Sequence, residues 1–197
     1  MNRRERVINA IEHKPVDRVP IDLGMHYSTG ISAFAYRNLR RYLGLPEKDI
    51  EIIDPTQFLA RVDEDVLERF HCDCMLLHPG FRQTCYWNPR EDYQFKIPQA
   101  LNPVLKPDGS WFATNGSANA GLHMPKGGFF FDGNGYDLFA EDASELLERY
   151  AREAERIYKE TDYFTIYIAF SGYHGDIEYL CDMVTDPDRV REENARV

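Results

Sequence analysis

Three features of this 197-residue chain predict an α/β fold: a parallel sheet covered by helices, with an antiparallel β-hairpin excursion. Segments of helical periodicity alternate with short apolar runs, the order that lays covering helices on a sheet. Phe164–Phe170 (FTIYIAF) is nearly continuous in apolar and aromatic residues, as strands buried on both faces are. Residues 80–131 break the pattern. There Phe81, Tyr86, Trp87, Tyr93, Phe95, Trp111 and Phe112 alternate with polar residues between turn signals such as Asp108-Gly109 and Asn115-Gly116, which is hairpin chemistry.

The first helix starts at a capping box, Asn2 with Glu5 three residues on. It carries Val7, Ile8 and Ile11 as its apolar stripe and ends by Pro15. Pro20 opens a strand, a place where a strand tolerates a missing N–H, and Val19, Ile21 and Leu23 alternate with Pro20 and Asp22. After Gly24 and a short loop, Ile31–Leu43 reads as a helix with Ile31, Phe34, Ala35, Leu39 and Tyr42 inward, stopped by Gly44 and Pro46. Ile50–Ile53 is a short strand. Val62–Phe70 is a helix whose acidic first turn suits its dipole, and Cys74–Leu77 is an apolar strand ended by His78-Pro79-Gly80. A long helix runs from Asp142 and Glu145 to about Thr161. The strand Phe164–Phe170 then leads into a loop, Ser171–Gly175. A helix follows over Asp176–Val184, with Ile177, Leu180, Cys181 and Val184 inward. Asp186-Pro187 opens one more, with Pro at the first helical position.

Composition narrows the function classes. The chain is 43% hydrophobic and 28% charged, with a net charge of -10, so it can bury a sizeable core. The acidic balance disfavours a nucleic-acid partner, because no basic patch offsets phosphate repulsion. The basic runs Arg3-Arg4 and 37–41 read as solvated helix faces. No apolar run reaches the ~20 residues of a membrane helix, and no signal-like segment opens the chain. Four cysteines without a secretory signal imply reduced thiols in the cytoplasm. His71-Cys72-Asp73-Cys74 has the wrong spacing for structural zinc, which uses two to four residues between cysteines and a second pair elsewhere. Gly127-Gly128 precedes a strand rather than the helix a phosphate loop requires. Both motifs therefore read as structural.

The opening RERVINAIEHKPVDRVPID (4–22) resembles the start of the uroporphyrinogen decarboxylase-like superfamily. The likeness continues through EDVLERFHCD (64–73), PKGGFFFDG (125–133) and DPDRV (186–190). It is nearer to the corrinoid- or cobalamin-dependent methyltransferase branch than to the decarboxylase. The decarboxylase's loop Met-Arg-Gln-Ala-Gly-Arg is matched by Gly24-Met25-His26-Tyr27-Ser28-Thr29, without either arginine. Its Asp-Ala-x-x-x-Phe-Ser-Asp frame is matched by residues 73–80, with Gly80 where the catalytic aspartate stands. Arginine pairing is the strong way to hold a polycarboxylate, so porphyrin decarboxylation loses support.

The resemblance implies a TIM barrel. A whole barrel takes about 250 residues, so the chain is expected to form one domain over 1–197 that is the N-terminal half of a (β/α)8 barrel, incomplete at its C-terminus, with 80–131 as the β-rich excursion. Barrel sites gather at the carboxyl ends of strands. Those ends offer His26, His78, His174 and Tyr173 as candidate catalytic residues. Asp22, Tyr27, Ser171 and Asp176 are candidate substrate-binding residues. Histidines converging on one mouth suit acid–base work. The resemblance further implies methyl transfer involving a corrinoid, with zinc and the corrinoid implied for a complete family member and neither assigned to residues of this chain. A small molecule or a corrinoid protein is the expected partner, along with a second copy or a complementing half-barrel chain. A truncated, non-catalytic subunit or binding module and uroporphyrinogen decarboxylase itself are the two alternatives.

Overall fold

The computed structural model describes residues 1–114, 121–134, 142–168 and 184–194. The chain divides into two units, Met1–Tyr167 and Ile168–Val197. The described residues of the second include the helix Pro187–Asn194, whose start is capped by the Asp186 carboxylate accepting the Arg189 N–H. Val184, expected to face inward, is 82% exposed.

The first unit is a mixed α/β structure. Helix α1 spans Arg3–Ile11, with the Asn2–Glu5 capping box formed in both directions. Its buried positions are Arg6 and Val7; Ile8 and Ile11 are 39% and 63% exposed, so the expected stripe points elsewhere. Helix α2 spans Ala33–Tyr42 and buries Ala33, Phe34, Tyr36 and Arg40. That face is turned from the expected one: Tyr42 is exposed and Arg40 is inside. Helix α3 is shorter than expected, Glu64–Arg69. Helix α4, Ala143–Glu160, begins where the Asp142 carboxylate accepts the Ser144 and Glu145 N–H groups. Of its expected apolar face Ile157 is buried, while Leu147 and Tyr158 are exposed.

The first three helices end alike. In each, the residue after the C-cap takes the left-handed conformation: His13, Gly44 and His71. The next N–H reaches back five residues, from Lys14 to Asn9, Leu45 to Arg40 and Cys72 to Leu67. This is the Schellman closure. Two of the three sites carry histidine where glycine would cost less, so His13 and His71 do conformational work.

Among the described residues ten strands form three sheets. Strands β1 (Ile50–Asp54), β2 (Leu59–Ala60), β4 (Thr84–Arg90) and β5 (Tyr93–Pro98) make one sheet in the order β2-β1-β5-β4. Strands β6 (Val104–Leu105), β7 (Trp111–Ala113), β8 (Gly121–Met124) and β9 (Asp132–Asn134) make an antiparallel meander. Strands β3 (Cys74–Leu76) and β10 (Phe164–Ile166) pair in parallel, Phe164 opposite Cys74. The hairpin chemistry of 80–131 is therefore real, but its first half is no excursion. Strand β5 joins β1 in parallel, Ile50 opposite Phe95. An aromatic core holds that junction: Phe34, Phe58, Trp87, Phe95 and Phe131 are all buried, in ring contacts of 4.9–6.1 Å.

The expected first strand does not join a ladder. Pro20 offers no N–H, and the Ile21 N–H is taken by the Asp73 carboxylate at 2.8 Å. A single backbone bond, Asp73 N–H to Ile21 C=O, ties segment 19–23 to the start of β3. Val19 is 78% exposed. The FTIYIAF run shortens to a half-buried three-residue β10; its end, Ala169 and Phe170, lies outside the described residues. No closed barrel forms among the described residues.

Candidate functional site

Four of the eight sequence-predicted site residues, Ser171, Tyr173, His174 and Asp176, lie outside the described residues. The other four fall into two groups. In the first, Asp22 holds its own turn together. Its carboxylate accepts the Met25 N–H at 3.1 Å and the Thr29 hydroxyl at 2.8 Å. Exposed His26 caps the short 3-10 turn Tyr27–Thr29, with Nδ1 accepting the Ser28 N–H at 3.0 Å. Tyr27 stands beside His26, ring centroids 6.4 Å apart. Gly24, at φ +76, is required here: a Cβ would come within 2.5 Å of Val62 Cγ2.

The second group surrounds His78. Its Nδ1 accepts the Gly80 N–H at 3.1 Å, and Arg61 Nη2 lies 3.3 Å from the same nitrogen while donating to the His78 carbonyl at 2.9 Å. Burial, with the nearby Arg61 and Arg149 charges, pushes the His78 pKa down to about 3. The imidazole is thus neutral, with its proton on Nε2. The Arg149 guanidinium donates to the Gly80 carbonyl, binding this loop to α4.

Between the groups lies a cavity of ≈ 320 Å³. Gly24 and Met25, which follow segment 19–23, line it together with Met75 and Leu76 at the end of β3. Ile53 and Val62 complete an apolar floor, and Lys48, Arg61, Asp63, Glu64, Glu153 and Arg156 form the rim. Met25 is buried, and its Sδ accepts the Leu76 N–H. Met25 links the cavity to the Asp22 turn, and Arg61 links it to His78. Neither histidine lines the cavity itself, and the hydrogen bonds of His26 stay within its own turn.

The rim is internally paired. Arg156 bonds Glu153 at 2.9 Å and lies 3.6 Å from Glu64. Lys48 stands 3.8 Å from Asp63 and 3.3 Å from Asp65. Arg61 stands 3.6 Å from Glu51. Asp63 also accepts from the Tyr36 hydroxyl and Arg40.

The resemblance implies zinc and a corrinoid for a complete family member. The donor set at 71–74 does not fit zinc. Burial, then the Asp22 and Asp73 charges, push the Cys72 thiol up to about 11 and the Cys74 thiol up to about 12, so both stand as protonated thiols. Asp73 is consumed by two arginines. Among the described residues no three His, Cys, Asp or Glu side chains converge to hold a metal ion. The cavity sits at the small end of the ~300–1,000 Å³ range of ligand sites, the size of a small metabolite and below that of a macrocycle.

Sequence reasoning missed the arginine networks. Asp73 is wholly buried and takes Arg6 at 2.5 Å and Arg18 at 2.6 Å. Arg6 also bonds Asp17. Arg3 pairs with Glu68 and Asp162, and Arg4 donates to the Tyr158, Thr161 and Tyr163 carbonyls. None of these is a solvated face. The available signal was an aspartate standing alone at the start of an apolar strand, which needs cationic partners when buried.

No helix among the described residues is long and apolar enough to cross a membrane. Comparison with protein-family models, with curated proteins and with solved structures finds no match.

Proposed function

We propose that this chain is the N-terminal part of a uroporphyrinogen decarboxylase-superfamily protein of methyltransferase type, and that its cavity forms one wall of the small-molecule site. The observation that carries the reading is the position of the cavity. It opens where segment 19–23 and β3 end, the side on which barrel enzymes gather their chemistry. The half-barrel reading draws support from order. Segment 19–23, β3 and β10 stand side by side, bonded Ile21 to Asp73 and Cys74 opposite Phe164. They are preceded in turn by α1, α3 and α4. A cavity of this size suits the small partner of a methyl transfer, and in a complete family member the loops 24–30 and 78–81 near it would be this chain's contribution to holding a corrinoid. Neutral His78 offers its Nε2–H as a hydrogen-bond donor, and exposed His26, in the loop that follows the Gly24–Met25 wall, is the candidate for proton handling.

The test is a backbone-amide NMR titration with methylcobalamin. Shifts are expected in Gly24–Gly30 and His78–Phe81. An unperturbed spectrum, or shifts confined to the β6–β9 meander, overturns the proposal. One observation favours a second reading, a non-catalytic binding or assembly subunit: every charged group on the cavity rim already has an ionic partner. Coproporphyrinogen formation from uroporphyrinogen by the purified chain would support the third reading, the decarboxylase, against the missing arginine loop.

A further inference from the structure

The rim charges of the cavity balance. Lys48, Arg61 and Arg156 supply three cations, and Asp63, Glu64 and Glu153 supply three anions. The signs are interspersed: Arg156 sits between Glu153 and Glu64, and Lys48 lies against Asp63. Below them the floor is apolar, made by Met25, Ile53, Val62, Met75 and Leu76.

A ligand with one net charge would meet as much repulsion as attraction at this rim. A ligand carrying both charges can open one rim pair and give each member a matched contact of its own, and its apolar body can cover the floor. We infer that the cavity recognises a small zwitterion with an apolar body, of the class of an α-amino acid with an aliphatic side chain. Its carboxylate faces Arg61 and Arg156, and its ammonium faces Glu153 and Glu64. The inference rests on reading this cavity as the small-molecule site and adds the class of ligand it takes.

The experiment uses three probes with one carbon skeleton. They are L-leucine, isocaproate (which lacks the ammonium) and isoamylamine (which lacks the carboxylate). Each is titrated calorimetrically into the full chain without corrinoid. L-leucine is expected to bind saturably, with both single-charge probes weaker by about tenfold or more, ~1.4 kcal/mol. Two variants test the sign. Arg156→Met leaves the rim net negative and should weaken L-leucine while improving isoamylamine. Glu153→Gln leaves it net positive and should improve isocaproate. Circular dichroism of both variants should match the parent. Because each variant is read as a change of preference among probes, partial loss of stability does not imitate the result. Equal binding of all three probes, unchanged preference in both variants, or no saturable binding of L-leucine in the millimolar range overturns the inference. None of these outcomes touches the corrinoid titration, so the two proposals fail separately.

Discussion

Asp73 has no solvent-accessible surface, yet it is ionised. Burial pushes its pKa up, but the bonds from Arg18, the Ile21 N–H and Arg6 outweigh burial and hold it below the ordinary carboxylate range. Removing one partner of such a group strands the others. Asp73→Asn leaves Arg6 and Arg18 facing a neutral amide and should cost about 3–5 kcal/mol in urea unfolding; a loss under about 1 kcal/mol would show that the network is not holding the fold. The same carboxylate sets a pH dependence. Because its folded pKa is depressed, its contribution is complete above the unfolded value near ~3.9 and disappears as pH falls through the folded value. Asp65, lowered to about 2 by Arg40, acts in the same acid window. His78 acts earlier. Its folded pKa of about 3 lies below the unfolded ~6.5, so the unfolded chain binds the extra proton and stability declines as pH drops from ~6.5 toward 3, by at most about 1.4 kcal/mol per pH unit. His78→Gln keeps an acceptor for the Gly80 N–H and should flatten the decline between pH 6.5 and 4.5. An unchanged pH profile in that variant would show that the decline has another source. These residues also mark how far sequence reading reaches. His26 and His78 were legible because they follow apolar runs. The partners of Asp73 were not, because arginines distant in sequence reveal their pairing only once α1 docks.

Local signals were the legible ones at the level of elements. The Asn2–Glu5 box, the Asp142 cap, the Gly44 stop and the Asp186-Pro187 start all act within one turn of chain. Burial faces were less legible, because they depend on what lies opposite. Arg40 sits inside α2 because Asp63, Asp65 and the Pro46 carbonyl meet its guanidinium, and no apolar stripe announces that. The joining of β5 to β1 was hidden for the same reason: parallel pairing over more than 40 residues leaves no local mark. Helix α1 is pinned by such distant partners. Arg4 lies over the Tyr158 ring at 4.6 Å and donates to carbonyls at the end of α4, where a cation also suits the helix dipole. Arg4→Ala leaves those carbonyls without it and should cost about 1–3 kcal/mol, with faster amide exchange expected in the last turn of α4. Exchange faster only in α1 would instead mean that Arg4 serves its own helix. At the other boundary of the cavity, Gly24→Ala combines a left-handed backbone with the contact at Val62. It should destabilise by about 1–2 kcal/mol from backbone conformation alone, and a neutral result would mean that the loop relaxes.

At the scale of the molecule, apolar surface and charge oppose one another. Among the described residues β6 pairs only with β7, and both of its residues, Val104 and Leu105, are more than half exposed. Segment 19–23 presents Val19 and Ile21. Open edges with apolar side chains invite a second chain to add strands. Against this stands a net charge of -10 at pH 7, which makes like copies repel over a Debye length of ~10 Å at 0.1 M salt. The balance predicts conditional association. Sedimentation velocity at pH 7.5 and low salt should show the smallest species. Added salt, or a shift toward the isoelectric point near 5.1, should enlarge it as repulsion is screened or titrated away. Leu105→Lys places a charge on the β6 edge, the device natural sheets use against edge pairing. If β6 is the contact, that variant stays small under the same conditions. If it associates as the parent does, segment 19–23 becomes the edge to test with Val19→Lys. A parent chain whose size ignores both salt and pH would show that neither edge is available, and the half-barrel reading would then lose the exposed edges it requires.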